Sequence, residues 1–340
     1  MREKIRVALL GASGYTAREL ISLLLRHPCA ELIAVGSRQE GTPLVAELHP
    51  ILTGRVNLRC EMLEARELTR RGVQCVFTCL PHGVSMTVVP QLLQAGMRVI
   101  DLSADYRLRD PQIYQEWYRE PHHDPENLRH AVYGLPEVYA SRIREARLVA
   151  NPGCYPQTII LGLAPLIAHD LIDREDIIAD SKSGVSGAGR TPRPHTHFPE
   201  CNENVAAYSV GQHRHTPEIE QVLSDLARTA VRIVFTPHLV PMDRGIFSTI
   251  YARPRRAVSE HELFEVYRDY YARAPFVRVV SHLPNSKDTI GTNFCDITLR
   301  LVRQRVVLLV CEDNLIRGAS GVAVQNFNLM FGLEETLGLL

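Results

Sequence analysis

The chain carries no excess charge of either sign, with 38 Lys+Arg residues balanced by 38 Asp+Glu among 340. That balance argues against a dedicated nucleic-acid binder, and no block of like charge stands out as an interaction tail. Long apolar runs are missing too. The longest, near residues 159–167, is interrupted by Gly162 and Pro165 and falls far short of the roughly 20 residues that span a bilayer. The opening MREKIRVALLGASG passes directly into a strand-and-turn pattern with no apolar leader, so no signal peptide is expected. Cysteine is sparse, eight residues at irregular spacing with no CxxC pair and no HExxH. A disulfide framework is therefore not expected, and a reducing, cytoplasmic setting is. Lysine is rarer still, at positions 4, 182 and 287 only. There is no P-loop lysine for a nucleotide triphosphatase and no tyrosine-x-x-x-lysine pair of the short-chain dehydrogenase kind. Internal repeats and low-complexity tracts are absent.

What remains is an ordinary globular composition, 45% hydrophobic and 22% charged, at a length that favours two domains. Residues 5–10 are apolar and β-compatible, Gly11-Ala12-Ser13-Gly14 breaks the strand, and Leu20, Ile21, Leu24 and Leu25 resume at helical spacing. A second strand over 32–35 closes a parallel βαβ unit. Further short apolar runs at 73–79, 99–102 and 148–150 alternate with helical segments, which predicts a doubly wound parallel sheet. After Asn151 the pattern changes. A helix is predicted from Pro156 to about Asp173, then strands at 231–235, 246–252, 295–301 and 306–311, a mixed or antiparallel sheet with helices on one face. A domain boundary is expected near 151. The last segment, from about 315 to 340, reads as a helix that packs back on the first domain.

Gly11, Ser13, Gly14, Tyr15, Thr16 and Ala17 form a GxxGxxA turn at the first strand-to-helix junction, where glycine lets the backbone approach a pyrophosphate and helix N–H groups meet its charge. At the end of the second strand stand Ser37 and Arg38 rather than an acidic residue, a pair suited to a 2′-phosphate and hence to NADP. Leu80 and Pro81, after another parallel strand, should border the same cofactor. Downstream, Asn151-Pro152-Gly153-Cys154 ends a strand and precedes a helix, so Cys154 is expected just outside a helix N-terminus, where a thiolate is favoured. Cys29, Cys60, Cys75, Cys79, Cys295 and Cys311 read as core cysteines, and Cys201 stays undecided. His213 and His215 precede Thr216-Pro217-Glu218, read as cap, first helical residue and acidic first turn. In an extended segment their side chains share a face, so either can approach Cys154. No third and fourth ligand stands at suitable spacing, so no metal is expected. The stretch 181–190, SKSGVSGAGR, is glycine-rich and cationic and is read as a flexible anion cradle, with Arg190 available to a phosphate.

The segments GASGYTARELISLLLRHP, IDLSADYRL, YGLPE, NPGCYPQT, SKSGVSGAGR, HRHTPEI and DNLIRGASGVAVQN, in order from residue 11 to 326, resemble the N-acetyl-gamma-glutamyl-phosphate reductase family. That family is similar in fold and chemistry to aspartate-semialdehyde dehydrogenase and glyceraldehyde-3-phosphate dehydrogenase. The resemblance implies an α/β protein with a Rossmann-type NADP-binding domain over 1–150 and an α+β catalytic and oligomerisation domain over 151–314. It implies that Cys154 attacks an acyl phosphate, that NADP(H) reduces the resulting thioester to an aldehyde, and that His213 is the acid/base. His215, Tyr208 and Arg190, with Arg107 and Glu137 more weakly, are implied as supporting or substrate groups. Ser183 and Gly184 are implied as cofactor contacts, and Asn314 as the group that orients the nicotinamide amide.

A thioester accepts hydride where a carboxylate does not, so a sulfur intermediate is chemically sensible. The implied partners are an acyl-phosphate substrate and inorganic phosphate, with no nucleic acid and no membrane, in a cytoplasmic homo-oligomer, dimer or tetramer. Two alternatives stand beside this reading. One keeps the mechanism on a carrier-linked aminoadipyl phosphate of lysine biosynthesis, and the other is a non-catalytic NADP-sensing protein.

Overall fold

The computed structural model describes residues 4–38 and 41–340 and divides them into two compact units, 1–152 with 319–340 and 153–318. The first unit contains β1 (Ile5–Leu10), α1 (Tyr15–Arg26), β2 (Ala30–Gly36), α2 (Val45–Leu48), β3 (Cys60–Glu61), α3 (Ala65–Arg70), β4 (Cys75–Thr78) and α4 (Ser85–Gln94). It continues with β5 (Arg98–Asp101), α5 (Pro111–Tyr118), α6 (Pro125–Leu128), β6 (Val132–Tyr133), α7 (Pro136–Glu145) and β7 (Leu148–Ala150). All seven strands are parallel, in the order β3-β2-β1-β4-β5-β7-β6. Strand order reverses between β1 and β4, so the carboxyl ends of those two strands open a crevice in which a ligand is received. Continuous burial along β1 and β4 and on one face of α1 explains their unbroken apolar runs.

The second unit holds α8 (Cys154–Ala168), β8 (Ile172–Ser183), α9 (Phe198–Cys201), β9 (Ala206–Ala207), α10 (Thr216–Ala227), β10 (Val234–Leu239), β11 (Ile246–Pro254), α11 (Glu260–Tyr270), β12 (Val277–Val279), β13 (Cys295–Val302) and β14 (Arg305–Glu312). Its seven-stranded sheet is mixed, in the order β12-β13-β14-β11-β8-β10-β9. Helices α8 and α11 pack on one face of this sheet, and α10 packs on α8. Burial along β11 alternates accordingly: Ile246, Ser248, Ile250 and Ala252 are covered, while Tyr251 and Arg253 on the other face are exposed.

Several sequence expectations need correction. Helix α8 runs through Gly162 and Pro165 as expected, but it ends at Ala168, ahead of the predicted Asp173, because β8 begins at Ile172. Pro165 withdraws the N–H that would reach the Leu161 carbonyl, and the Tyr271 hydroxyl donates to that carbonyl instead, at 2.5 Å. Gly162 lets the helix meet the sheet, since a Cβ there would lie 2.9 Å from Ile250 Cδ1. The strand expected at 231–235 is β10, starting at Val234.

The terminal helix is shorter than 315–340. A π-helical turn, Ile316–Ser320, leads into α12 (Gly321–Met330), which ends before Gly332 with its positive φ of 63°. Every residue of α12 is buried, and its asparagines bond inward: Asn326 donates to the Gly134 carbonyl at 2.8 Å, and Asn328 bonds His27 Nε2 at 2.9 Å. Cys29 and Cys79 are only half-buried, unlike Cys60, Cys75, Cys295 and Cys311. No helix among the described residues is long and apolar enough to cross a membrane.

Candidate active site and cofactor pocket

In the first unit, a cavity of about 920 Å³ opens at the carboxyl edge of the parallel sheet, lined by Gly11, Ser13, Gly36, Ser37, Arg38, Leu80 and Pro81 among others. Its floor is built by backbone approach. The Gly11 and Ala12 N–H groups both donate to the Gly36 carbonyl, at 2.9 and 3.1 Å, and Cys79 N–H donates to the Leu10 carbonyl at 2.7 Å. Gly11, at φ +95°, leaves no room for a side chain, because a Cβ would sit 2.4 Å from the Cys79 carbonyl oxygen. Gly14 caps α1 and has nothing within 4 Å of its Cβ position, so the helix N-terminus is open to a phosphate. Tyr15, Thr16 and Ala17 form the first turn of α1; Ala17 is buried and the Thr16 carbonyl accepts the Ser320 hydroxyl. These residues fit a dinucleotide, with Ser37 and Arg38 at the end of β2 where its adenosine ribose falls.

In the second unit, Cys154 is the first residue of α8, with Gly153 as its N-cap. The buried carboxylate of Glu218, in the first turn of α10, accepts the Gly153 N–H at 2.7 Å and so fixes the approach to the cysteine. The turn after β14 closes on the other side: a Cβ on Gly318 would lie 2.8 Å from Cys154 Cβ and 3.0 Å from Glu312 Oε1. The buried Gln157, one turn along α8, has no hydrogen-bond partner among the described residues for either end of its amide. Tyr155 donates its hydroxyl to the His238 carbonyl at 3.1 Å and accepts from Tyr208 at 3.2 Å. Burial pushes the phenol of each tyrosine up, so both stay neutral; the charge of Cys154 adds to this.

His213 stands among these rings, with centroids 5.6 Å from Tyr155, 5.4 Å from Tyr208, 5.2 Å from Phe235 and 4.8 Å from His215. The two histidines do not lie on an extended segment. Residues 209–215 are turns, and the His213 ring folds back so that Nδ1 accepts the His215 N–H at 3.1 Å. Helix α10 starts at Thr216 with His215 as its cap, one residue earlier than the sequence indicated. Burial holds the His213 imidazole down at about 4, with the Arg214 guanidinium adding to the depression. The ring is therefore neutral at pH 7, and because Nδ1 is an acceptor its proton sits on Nε2.

The stretch 181–190 is not a flexible cradle. Ser181, Lys182 and Ser183 belong to β8, and the following N–H groups are committed to a neighbouring turn: Gly184, Val185 and Ser186 donate to the carbonyls of Gly245, Met242 and Asp243. Gly184 is required by this approach, since a Cβ would lie 2.5 Å from the Asp243 carbonyl oxygen. Lys182 is paired with Asp180 at 2.7 Å, and Arg190 lies exposed beyond the turn. Asn314 uses both ends of its carboxamide inside the unit, accepting from Gly245 N–H at 2.7 Å and donating to Ser186 Oγ at 3.0 Å. One amide hydrogen lies outside these two bonds.

Arg107, in the first unit, is buried and holds the carbonyls of Asn151 and Leu102, at 2.8 and 3.1 Å. Glu137 stands in the first turn of α7, in the same unit. Of the expected supporting residues, Tyr208 and His215 thus gather around His213, while Arg107 is a backbone brace. Sequence reasoning missed Tyr155, Glu218, Gly318 and Glu312. For Glu218 the helix-start signal was present, but its contact with Gly153 crosses 65 positions of sequence.

Residues 6–146 match the family model of the semialdehyde dehydrogenase NAD binding domain, and residues 154–314 that of the semialdehyde dehydrogenase dimerisation domain. The chain is 50% identical over 342 residues to a protein of Rhodopirellula baltica named N-acetyl-gamma-glutamyl-phosphate reductase, covering 99% of this chain and 98% of that protein. Relatives of the same name from Desulforudis audaxviator and Geotalea daltonii are 51% and 52% identical over 340 residues, covering 99% and 98% of this chain and 98% of each relative. Among solved structures, aspartate semialdehyde dehydrogenase II of Vibrio cholerae superposes with a TM-score of 0.74 at 16% identity, covering 97% of this chain and 99% of that one. The aspartate semialdehyde dehydrogenase of Candida albicans, solved with NADP, gives 0.73 at 15% identity and the same coverage.

Proposed function

The chain belongs to the N-acetyl-gamma-glutamyl-phosphate reductase family of semialdehyde dehydrogenases, and from that premise we propose how its residues divide the reaction. The reaction is the NADPH-dependent reduction of N-acetylglutamyl 5-phosphate to N-acetylglutamate 5-semialdehyde and phosphate, a step of arginine biosynthesis. The observation that carries the assignment of roles is the arrangement around α8, where Cys154 starts the helix and the adjacent Tyr155 stands against a neutral, ring-enclosed His213.

In this reading the Cys154 sulfur bonds to the acyl carbon while the bond from that carbon to the phosphate oxygen breaks, leaving a thioester. Gly11, Gly14, Ser37 and Arg38 would hold NADPH, which would supply the hydride when bound. As the carbonyl reforms, the carbon–sulfur bond breaks and Cys154 returns as a thiolate. Since each turnover ends with the thiolate that begins the next, the cycle needs a donor for the oxyanion more than a base for the thiol. His213 is that donor, through Nε2–H. This narrows the acid/base role expected from the sequence. Tyr208 and His215 shape the pocket beside it, and Asn314 offers its remaining amide hydrogen to the cofactor.

The open face of the second sheet supports a homo-oligomer. Val234, Ile178, Tyr251 and Val307 form one cross-strand row there, and the first three are 59%, 40% and 38% exposed. The family model over this region is named for dimerisation, in keeping with a second copy on that face. A cytoplasmic location follows from the biosynthetic role.

The substrate assignment is tested in the reverse direction with NADP and phosphate. N-acetylglutamate semialdehyde is expected to yield NADPH, while aspartate semialdehyde and glyceraldehyde 3-phosphate yield little. A signal from either of the latter two and none from the first would overturn the assignment.

A further inference from the structure

We propose that the segment following β3 forms the second wall of the adenosine 2′-phosphate subsite, with Met62 under the adenine and Arg66 facing the 2′-phosphate opposite Arg38; this rests on the NADP(H) reading of the pocket. The sheet register sets the geometry. Gly36 pairs with Glu61, and Ser37 N–H donates to the Glu61 carbonyl at 3.0 Å, so the residues leaving β3 run beside the residues leaving β2 at the carboxyl edge of the sheet. Both stretches line the same 920 Å³ cavity, Ser37 and Arg38 after β2 and Met62, Glu64, Arg66, Glu67, Arg70 and Arg71 after β3.

Charge pairing singles out one cation of that second wall. Arg71 holds Glu61 through two bonds of 2.8 and 2.7 Å and Glu67 at 2.9 Å, while Arg70 reaches Glu67 at 2.5 Å. Arg66 and Arg38 have no ion pair or hydrogen-bond partner among the described residues, against one such carboxylate on the wall, Glu64. Two uncommitted guanidinia lining one cavity suit a phosphate dianion, which a fork of N–H donors grips at two oxygens.

Met62 supplies an independent observation. It is 82% exposed, the largest exposure of any large hydrophobic side chain among the described residues of the first unit apart from Leu340, yet it lines this cavity. A polarizable thioether left bare beside two guanidinia is the surface an adenine ring covers.

The test uses the full-length protein without substrate, titrated calorimetrically with 2′,5′-ADP and with 5′-AMP. Arg66→Gln is expected to weaken 2′,5′-ADP about tenfold and leave 5′-AMP within about twofold, as Arg38→Gln should, whereas Met62→Ala should weaken both probes by a similar factor. Arg66→Gln leaving 2′,5′-ADP unchanged, or weakening both probes alike, would overturn the role of Arg66. Met62→Ala without effect on either probe would overturn that of Met62. A wild-type protein that binds 5′-AMP as tightly as 2′,5′-ADP would instead overturn the NADP reading beneath the inference, so the two failures are distinguishable.

Discussion

At the scale of single residues, the hydrogen bond from His215 N–H to His213 Nδ1 decides what the histidine can do. Burial, with the Arg214 guanidinium adding to it, holds the ring down at about 4, and the bond at Nδ1 leaves Nε2 to carry the single proton. His213→Ala is expected to lower kcat by about 10²–10³-fold, the usual cost of one oxyanion donor, and His213→Gln, which keeps an N–H but no proton-accepting nitrogen, to recover at least about tenfold of that loss. Gln as damaging as Ala, with a kcat limb near pH 6.5, would contradict the donor role.

The sign of the linked stability follows. The folded-state pKa lies below the unfolded 6.5, so the unfolded chain binds the extra proton between about pH 4 and 6.5. The contribution of His213 to stability is present above pH 6.5 and lost as pH falls towards 4, and the depressed His27 and His122 act in the same direction. Urea unfolding across that range should show stability falling with pH. Cys154 and the His213/His215 pair were legible in the sequence because their signals are local, a glycine turn before a helix and a Thr-Pro-Glu helix start. Glu218 and Gly318 were not, since their contacts with Gly153 and Cys154 are made only by the fold.

At the scale of elements, α8 carries the nucleophile, and its unbroken run through Pro165 is supported by tyrosines on and just beyond α11. The Tyr271 hydroxyl meets the Leu161 carbonyl that Pro165 orphans, and Tyr267 donates to the Gly162 carbonyl. Tyr271→Phe keeps the ring and strands the carbonyl, and should cost about 1–2 kcal/mol, read as a lower urea midpoint with unchanged slope. No loss of stability would mean the proline is accommodated otherwise. Sequence pattern marked α8 and placed its start within two residues, but misread its end, because helix propensity cannot see that β8 must begin at Ile172 to pair with Pro254. The 181–190 stretch was misread for a related reason: its glycines serve a close backbone approach to 242–245, which resembles flexibility in sequence and rigidity in the fold.

At the scale of the whole molecule, alternation of short strands and helices made the doubly wound sheet readable, and the return of the closing helix to the first unit was readable too, while the buried asparagines that help hold α12 there are revealed by no periodicity. The open face of the second sheet gives a further outcome at this scale. Ile178→Asp with Tyr251→Asp should shift the mass measured by light scattering towards the monomer, and an unchanged mass would move the interface elsewhere. The central claim, covalent transfer through sulfur, is tested most directly by mixing enzyme with N-acetylglutamyl phosphate in the absence of nicotinamide cofactor and measuring phosphate release together with intact and peptide mass. About one phosphate per chain and an N-acetylglutamyl group on the peptide bearing Cys154, both abolished in Cys154→Ser, is the predicted result. No adduct, or one that persists in Cys154→Ser, would contradict it.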